Sequence, residues 1–127
     1  MNTKDYLLKQ LHQFLDELRQ RINTIKKSEI QDLEIQLNKL YKDYFEKDKN
    51  QYLKLTVNQI VEEIGNSDRI ELLAELFVYD AQLTKTNNYQ QLLRKAQKLL
   101  LKVDQHSKTY SYKRNQKIKE IEQLLTK

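Results

Sequence analysis

The sequence predicts an all-α protein, and three observations support this fold class. The 127 residues contain no proline and a single glycine, Gly65. Sheets and loop-rich folds need many turn residues, whereas long helices need almost none. Apolar residues recur at three- and four-residue steps, and two capping boxes mark helix starts. We therefore expect five or six antiparallel helices, packed as a bundle in a single domain over residues 1–127.

Two helices are predicted in the first third of the chain. Thr3 can cap the first helix, with Asp5 in its first turn, where a negative charge favours the helix dipole. Its core-facing stripe consists of Leu7, Leu11, Phe14, Leu18, Ile22 and Ile25. The second helix opens at a capping box that runs from Ser28 to Gln31. Its apolar face consists of Ile30, Leu33, Leu37, Leu40 and Tyr44, with Tyr41 and Phe45 beside them.

A short third helix is predicted after a polar run. Residues 46–50 are all polar and end the second helix, whereas the segment 51–55 is ambiguous. A capping box from Thr56 to Gln59 starts the third helix. Gly65 ends it, because glycine takes the left-handed conformation at a helix end without steric cost.

Three further helices are predicted in the second half of the chain. Ser67 and Asp68 start the fourth helix, which carries Ile70, Leu73, Leu76, Phe77 and Leu83. The polar residues 86–88 link it to the fifth helix, whose stripe is Tyr89, Leu92, Ala96, Leu99 and Val103. Ser111 can cap a last helix that bears Ile118, Ile121 and Leu125.

Signals for enzyme chemistry are nearly absent. The lack of cysteine excludes disulfides, thiolate metal sites and cysteine nucleophiles, and one glycine cannot form a glycine-rich phosphate loop. His12 and Asp16 lie one helical turn apart, which could supply half a metal site, and His106 lies in a polar link. We interpret both histidines as surface residues. The sequence therefore predicts no enzymatic activity, no cofactor and no metal ion.

Positive charge is concentrated in residues 85–119, which hold ten basic side chains and one acid, Asp104. On the fifth helix four basic side chains project within about 100° of one another, opposite the apolar stripe. Such a face could bind phosphates, an acidic protein or anionic lipid. The alternative is that these charges only keep the outer helix face soluble. The candidate face for an anionic partner consists of Arg94, Lys95, Lys98, Lys102, Lys113 and Lys117.

Three residues depart from the pattern of their helices. Arg114 lies on the apolar face of the last helix, and Asp80 lies among the apolar residues of the fourth. A charge at a core-facing position is costly unless it is paired. We therefore predict a partly buried ion pair between Arg114 and Asp80, or another inward acid, that docks the last helix. Leu101 points away from the stripe of the fifth helix and could anchor a partner helix or a dimer contact.

Both ends of the chain carry short motifs. The opening DYLLKQL (Asp5 to Leu11) has a D-[YW]-hydrophobic-x-x-Q pattern, and TYSYKRNQKIKEI (Thr109 to Ile121) contains S-x-x-R-x-x-K-I. The second pattern falls on Ser111, Arg114, Lys117 and Ile118. In these motifs the chain resembles a family of short bacterial helical proteins whose activity is uncharacterised. The resemblance implies a helical fold over nearly the whole chain, and no functional residues carry over from it.

Residues 70–103 form a predicted helix, a short polar turn and a second helix that begins near Tyr89. This segment looks like one degenerate tetratricopeptide hairpin. It departs from that pattern at Asn87 and Asn88, where glycine is usual, at Leu92, where alanine is expected, and in lacking the closing proline. The resemblance implies a short tetratricopeptide-like helical array as the alternative to a bundle.

The predicted function is that of a non-enzymatic protein-interaction or scaffold module in a bacterial cytosol. The partner is expected to be a protein, and a homodimer is left open. The alternative is a basic helical module that binds nucleic acid or another polyanion through residues 85–119. The N-terminal segment has no apolar run long enough for a signal peptide or a membrane span, so we expect a cytoplasmic protein.

Overall fold

A computed structural model describes residues 3–85 and 88–126, with side chains from residue 6 onward. These ranges contain helices and no strand, which confirms the all-α prediction. The side chain of Thr3, on which the predicted cap depends, and two residues of the predicted link, 86 and 87, lie outside what is described. The helices are α1 (Thr3–Arg21), α2 (Ile30–Phe45), α3 (Lys49–Lys54), α4 (Val57–Ile64), α5 (Ser67–Thr84), α6 (Tyr89–His106) and α7 (Tyr112–Leu125).

The described ranges hold seven α-helices, which exceeds the five or six expected, and the helix that the sequence did not predict is α3. It falls in the segment that the sequence left ambiguous. Its start is a capping box, in which Asp48 Oδ1 accepts from the backbone amide of Gln51 and Gln51 Oε1 accepts from that of Asp48, both at 2.9 Å. The Tyr52 hydroxyl donates to the Phe45 carbonyl at 2.8 Å, which holds α3 against the end of α2.

Two predicted caps and one predicted stop are confirmed. Thr56 Oγ1 accepts from the amide of Gln59 at 3.1 Å, and Gln59 Oε1 accepts from the amide of Thr56 at 2.9 Å. Gly65 follows α4 with φ of 75°, where a side chain would be strained. Ser111 Oγ accepts from the amide of Arg114 at 3.2 Å and caps α7.

The predicted capping box at Ser28 is wrong. Ser28 lies inside a 3-10 turn (Lys27–Glu29), and Glu29 Oε1 accepts from the amide of Lys26 at 3.2 Å. The amide that donates to a side chain here is thus that of Lys26, two residues before Ser28, and the side chain is that of Glu29 rather than Gln31. α2 begins after the turn, at Ile30. α5 begins at Ser67 as predicted, but Asn66 caps it by accepting from the amide of Arg69 at 3.1 Å.

α5 is the central helix, because it packs against α1, α2, α4 and α6. A helix that is apolar on nearly every side is typical of such a position. α6 packs along α5 and also contacts α3, α4 and α7. The buried apolar side chains of all seven described helices belong to one cluster.

Candidate partner-binding groove between α4 and α6

A groove of about 700 Å³ runs along the outer side of α6 and is closed on one side by the first residues of α4. Helical geometry explains which α6 residues reach it, because side chains three, four, seven and eight positions apart share a face. This face lies opposite the buried residues Leu92, Ala96, Leu99 and Val103. The α4–α6 groove is lined by Thr56, Val57, Asn58, Gln91, Arg94, Lys95, Lys98, Leu101, Lys102 and Gln105.

Three cations in this groove, Arg94, Lys98 and Lys102, form what we call the basic row. They follow one another at four-residue steps along α6, so the row extends over about 12 Å at 1.5 Å per residue. Arg94 and Lys98 are exposed, and Lys102 is half-buried. Among the described residues, no acidic side chain lines the groove and no carboxylate forms an ion pair with the basic row. The charges of the basic row are therefore not compensated by an ion pair within the groove.

Lys95 has a different role from the basic row, although the sequence grouped it with these residues. Its ammonium donates to the carbonyls of Tyr52 at 3.2 Å, Leu53 at 2.9 Å and Leu55. These carbonyls lie at the C-terminal end of α3, where the helix dipole favours a cation. Burial, and then repulsion from Lys98, lower the pKa of Lys95. Lys95 is therefore a structural cation that ties α3 to α6, and its place in an outward face is corrected.

Leu101 lies among these cations and is 42% exposed. The sequence placed it away from the buried stripe, and the structure confirms that position. A single exposed leucine is ordinary on a protein surface. Here, however, it lies beside the basic row, with the half-buried side chain of Val57 on the opposite wall. The groove thus combines cations with two apolar side chains, Leu101 and Val57.

The predicted anionic-partner face is divided between two places, since Lys113 and Lys117 do not line the α4–α6 groove. Both line a second cavity of about 490 Å³ beside α7, which we call the α7 pocket. Lys113 is exposed. Lys117 is half-buried, with its ammonium 5.1 Å from the centre of the Tyr79 ring and 3.3 Å from a carboxylate oxygen of Glu120. Lys117 is therefore engaged within the chain rather than directed outward.

Arg114 is buried and forms an ion pair as predicted, but the acids it meets are Glu71 and Asp104 rather than Asp80. Nη1 lies 2.9 Å from Oε1 of Glu71, and Nε donates to Oδ1 of Asp104 at 3.0 Å. Nη2 also donates to the carbonyl of Thr109 at 3.3 Å. The hydrogen bond with Glu71 is the main cause that raises the pKa of Arg114. Arg114 thus joins α7 to α5 and to the end of α6.

Asp80 is buried elsewhere, so the predicted Arg114–Asp80 pair is corrected. Its carboxylate accepts from the Tyr41 hydroxyl at 2.9 Å and from the Lys49 ammonium at 3.4 Å. The physical reason is distance along α5, because Glu71 and Asp80 are separated by about 13 Å at 1.5 Å per residue. Arg114 meets the early part of α5, which carries Glu71, whereas Asp80 faces α2 and α3.

The α7 pocket also contains His12, together with Asp68, Glu71 and Glu75. Glu71 is engaged with Arg114, and Glu75 forms an ion pair with Arg19. Asp16, the predicted neighbour of His12, also pairs with Arg19, at 2.9 Å. Within residues 3–85 and 88–126 no group of three His, Cys, Asp or Glu residues is arranged to hold a metal ion.

The sequence did not predict the wall that α4 contributes to the groove. Thr56, Val57 and Asn58 lie more than thirty residues before α6 along the chain, and no local pattern relates them to it. The association of Leu101 with the basic row had a signal, since Leu101 follows Arg94 by seven residues and Lys98 by three. These spacings place the three side chains on one helix face.

Comparisons with protein-family models, with curated proteins and with solved structures found no match to this chain. The resemblances to a bacterial helical family and to a tetratricopeptide hairpin therefore stay predictions. Fold and groove define the chain as an all-helical protein with a cationic groove that contains no acid. In the part of the chain that the structure describes, no helix is long and apolar enough to cross a membrane.

Proposed function

We propose that this protein is a non-enzymatic protein-interaction module of the bacterial cytosol that binds its partner in the α4–α6 groove. The observation that carries the proposal is the contrast between the basic row and the other cations of residues 85–119. Lys95, Lys117 and Arg114 are engaged within the chain, whereas the basic row lies beside exposed Leu101 with no carboxylate. Cations and an apolar side chain that share one open groove are suited to contact a second molecule.

The proposed arrangement of helices is a short tetratricopeptide-like array, in which α5 and α6 form the central hairpin. The close packing of α5 against α6 supports this arrangement. A helical array of this kind commonly binds partners on an exposed helix face. The outer face of α6 would then be the binding face.

A pull-down with the tagged full-length chain from a bacterial lysate, run with and without nuclease, tests the proposal. The groove variant combines Arg94→Glu with Lys98→Glu. Its matched control combines Lys39→Glu with Lys42→Glu, because both lysines are exposed on α2 and the charge change is the same. We expect nuclease-resistant protein partners that the groove variant loses and the control retains. Equal capture by both variants would contradict the proposal.

The second candidate function is binding of nucleic acid or another polyanion through residues 85–119. The exposed Lys85 and Lys108, which flank α6, favour it by extending the positive charge of the basic row. Partners that disappear on nuclease treatment would support this second function. The predicted cations line two separate cavities, so fewer of them are available to one continuous phosphate-binding surface.

A further inference from the structure

We infer that the occupant of the α4–α6 groove is an acidic peptide segment that also carries an apolar side chain. This inference rests on the proposed function, because it specifies the partner of the same groove. Three features of the groove support it together: the basic row, the lack of any lining acid, and the exposed Leu101.

Charge complementarity identifies the acidic part of the partner. The basic row places three like charges on one side of α6, and among the described residues none of them is paired with a carboxylate. An acidic segment would compensate all three charges at once, which steers association and selects against basic or neutral segments. Single surface ion pairs contribute little to affinity. The row therefore supplies selectivity, and additional contacts must supply part of the affinity.

The apolar part of the partner follows from Leu101 and Val57. These side chains lie on the two walls of the groove, next to the cations. An apolar side chain placed between them would remove apolar surface from water on both sides. Asn58 and Gln105 also line the groove, and their amide groups can both donate to and accept from a peptide backbone. Gln91 lines it too, with Nε2 donating to the Leu53 carbonyl at 3.5 Å.

The same features disfavour a nucleic acid. No aromatic residue lines the groove, whereas single-stranded nucleic acids are commonly held by bases stacked on aromatic rings. The strongly exposed Tyr110 and Tyr112 lie at the start of α7 and do not line the groove. Three cations over about 12 Å are also fewer than the six to ten phosphate contacts of a typical nucleic-acid-binding protein.

A peptide selection tests the inference without knowledge of the natural partner. Random peptides of about 15 residues, long enough to follow the groove, are displayed and selected on the full chain. They are then counter-selected on the Arg94→Glu and Lys98→Glu variant. We expect enrichment of peptides with several Asp or Glu residues and at least one Leu, Ile or Phe. Absence of enrichment, or enrichment of neutral or basic peptides, would overturn the inference.

Affinity measurements on the strongest selected peptide locate its contacts. The peptide is labelled with fluorescein, and its anisotropy is followed during titration with the full chain. We expect the groove variant to weaken binding by about tenfold or more, Leu101→Ser to weaken it by about threefold, and the Lys39→Glu and Lys42→Glu control to leave it unchanged. A peptide with Gln in place of each acid should bind at least about tenfold more weakly.

Two further measurements separate the other occupants. A labelled oligouridylate that binds more tightly than the peptide would overturn the inference in favour of a polyanion. Light scattering that shows a dimer for the wild type and a monomer for the groove variant would identify a second copy of this chain as the occupant. If native partners are lost by the groove variant but no acidic peptide binds, the proposed function stands and the inference fails.

Discussion

Arg114 and the basic row show two different uses of positive charge within a single stretch of the chain. Arg114 is 8% exposed and meets two carboxylates, from α5 and from the end of α6. The basic row lies on the outer face of α6 and meets none among the described residues. The first arrangement compensates the cost of a buried charge, and the second leaves three charges available to a partner.

Whether a cation in this stretch is paired depends on where the acidic residues lie rather than on the cation itself. Residues 85–119 contain one acid, Asp104, and Arg114 uses it. The basic row has no acid of its own helix within reach, and the neighbouring start of α4 contributes only Thr56, Val57 and Asn58. A count of basic residues therefore does not distinguish a structural cation from an available one.

The largest expected effect is that of Arg114→Ala on stability. The substitution leaves Glu71 and Asp104 without their partner and removes the bond from α7 to α5. Breaking a buried pair costs about 3–5 kcal/mol, but the two carboxylates are 32% and 36% exposed and can be hydrated. We therefore expect the free energy of unfolding to fall by about 2–3 kcal/mol in urea titrations.

The matched control for this comparison is Arg94→Ala, which removes the same side chain from an exposed site of α6. Its free energy of unfolding should change by less than about 0.5 kcal/mol. Equal losses for both variants would mean that Arg114 does not differ from the basic row in its structural role.

A smaller loss is expected for Lys95→Met, which keeps the apolar stem and removes the ammonium. The carbonyls of Tyr52, Leu53 and Leu55 would lose their shared donor at the end of α3. We expect a loss of about 1 kcal/mol in urea unfolding, since Lys95 is half-buried and water can replace part of the contact. Lys98→Met, at a neighbouring exposed site, should cost almost nothing.

The sequence predicted helix starts and core faces well where the interactions are local. The capping box at Thr56 and the cap at Ser111 depend on atoms three residues apart, so the pattern contains the whole interaction. The box at Ser28 failed because Glu29 instead bonds to the amide of Lys26. α3 begins within the polar run 46–50, which the sequence indicates only as the end of the second helix, although Asp48 and Gln51 form a capping box there.

The sequence could not predict contacts that depend on tertiary packing. It indicated that Arg114 faces inward, but its partner depends on which turn of α5 lies beside α7. It also grouped Lys95 with the outward cations, because helical periodicity does not show that the end of α3 covers this position. The sequence did not predict that α4 forms one wall of the groove, because this contact also depends on tertiary packing.

The pH dependence of stability tests whether burial or the ion pair with Lys49 has the larger effect on Asp80. Burial raises its pKa above the ordinary value of 3.8, and the attraction of Lys49 and the hydrogen bond from Tyr41 oppose this change without reversing it. A raised pKa means that the folded chain binds the proton more tightly than the unfolded chain. Stability from this group is thus fully present below pH 3.8 and is lost as the pH rises through the raised pKa.

Asp80→Asn removes this titration and keeps an oxygen that can accept from Tyr41. We expect the free energy of unfolding of the wild type, relative to this variant, to fall as the pH rises through that window. Asp43→Asn, at an exposed site of α2, should give no such trend. A relative stability of the wild type that increased with pH would show that Lys49 outweighs burial at Asp80.

The smallest effect is expected at Lys98, and its sign is opposite to that at Arg114. Lys98 lies four residues from both Arg94 and Lys102 on one helix face, and like charges at this spacing destabilise a helix by about 0.2–0.5 kcal/mol per pair. Lys98→Gln should therefore raise the free energy of unfolding slightly at low salt. Salt screens exposed charges, so the gain should vanish near 1 M, where the Debye length is about 3 Å.

The control for Lys98→Gln is Lys39→Gln on α2, where Asp43 lies four residues further along the helix. There the attraction to Asp43 opposes the repulsion from Lys42, three residues further along, so loss of the lysine should not raise stability. A gain at Lys98 that persists at high salt would have to come from helix propensity rather than repulsion. A loss at Lys98 would mean that the row has a compensating acid. A gain in the free energy of unfolding that disappears at high salt is the result expected if the three cations of the basic row repel one another. Such a small cost in stability is consistent with a groove whose charges are kept for an acidic partner.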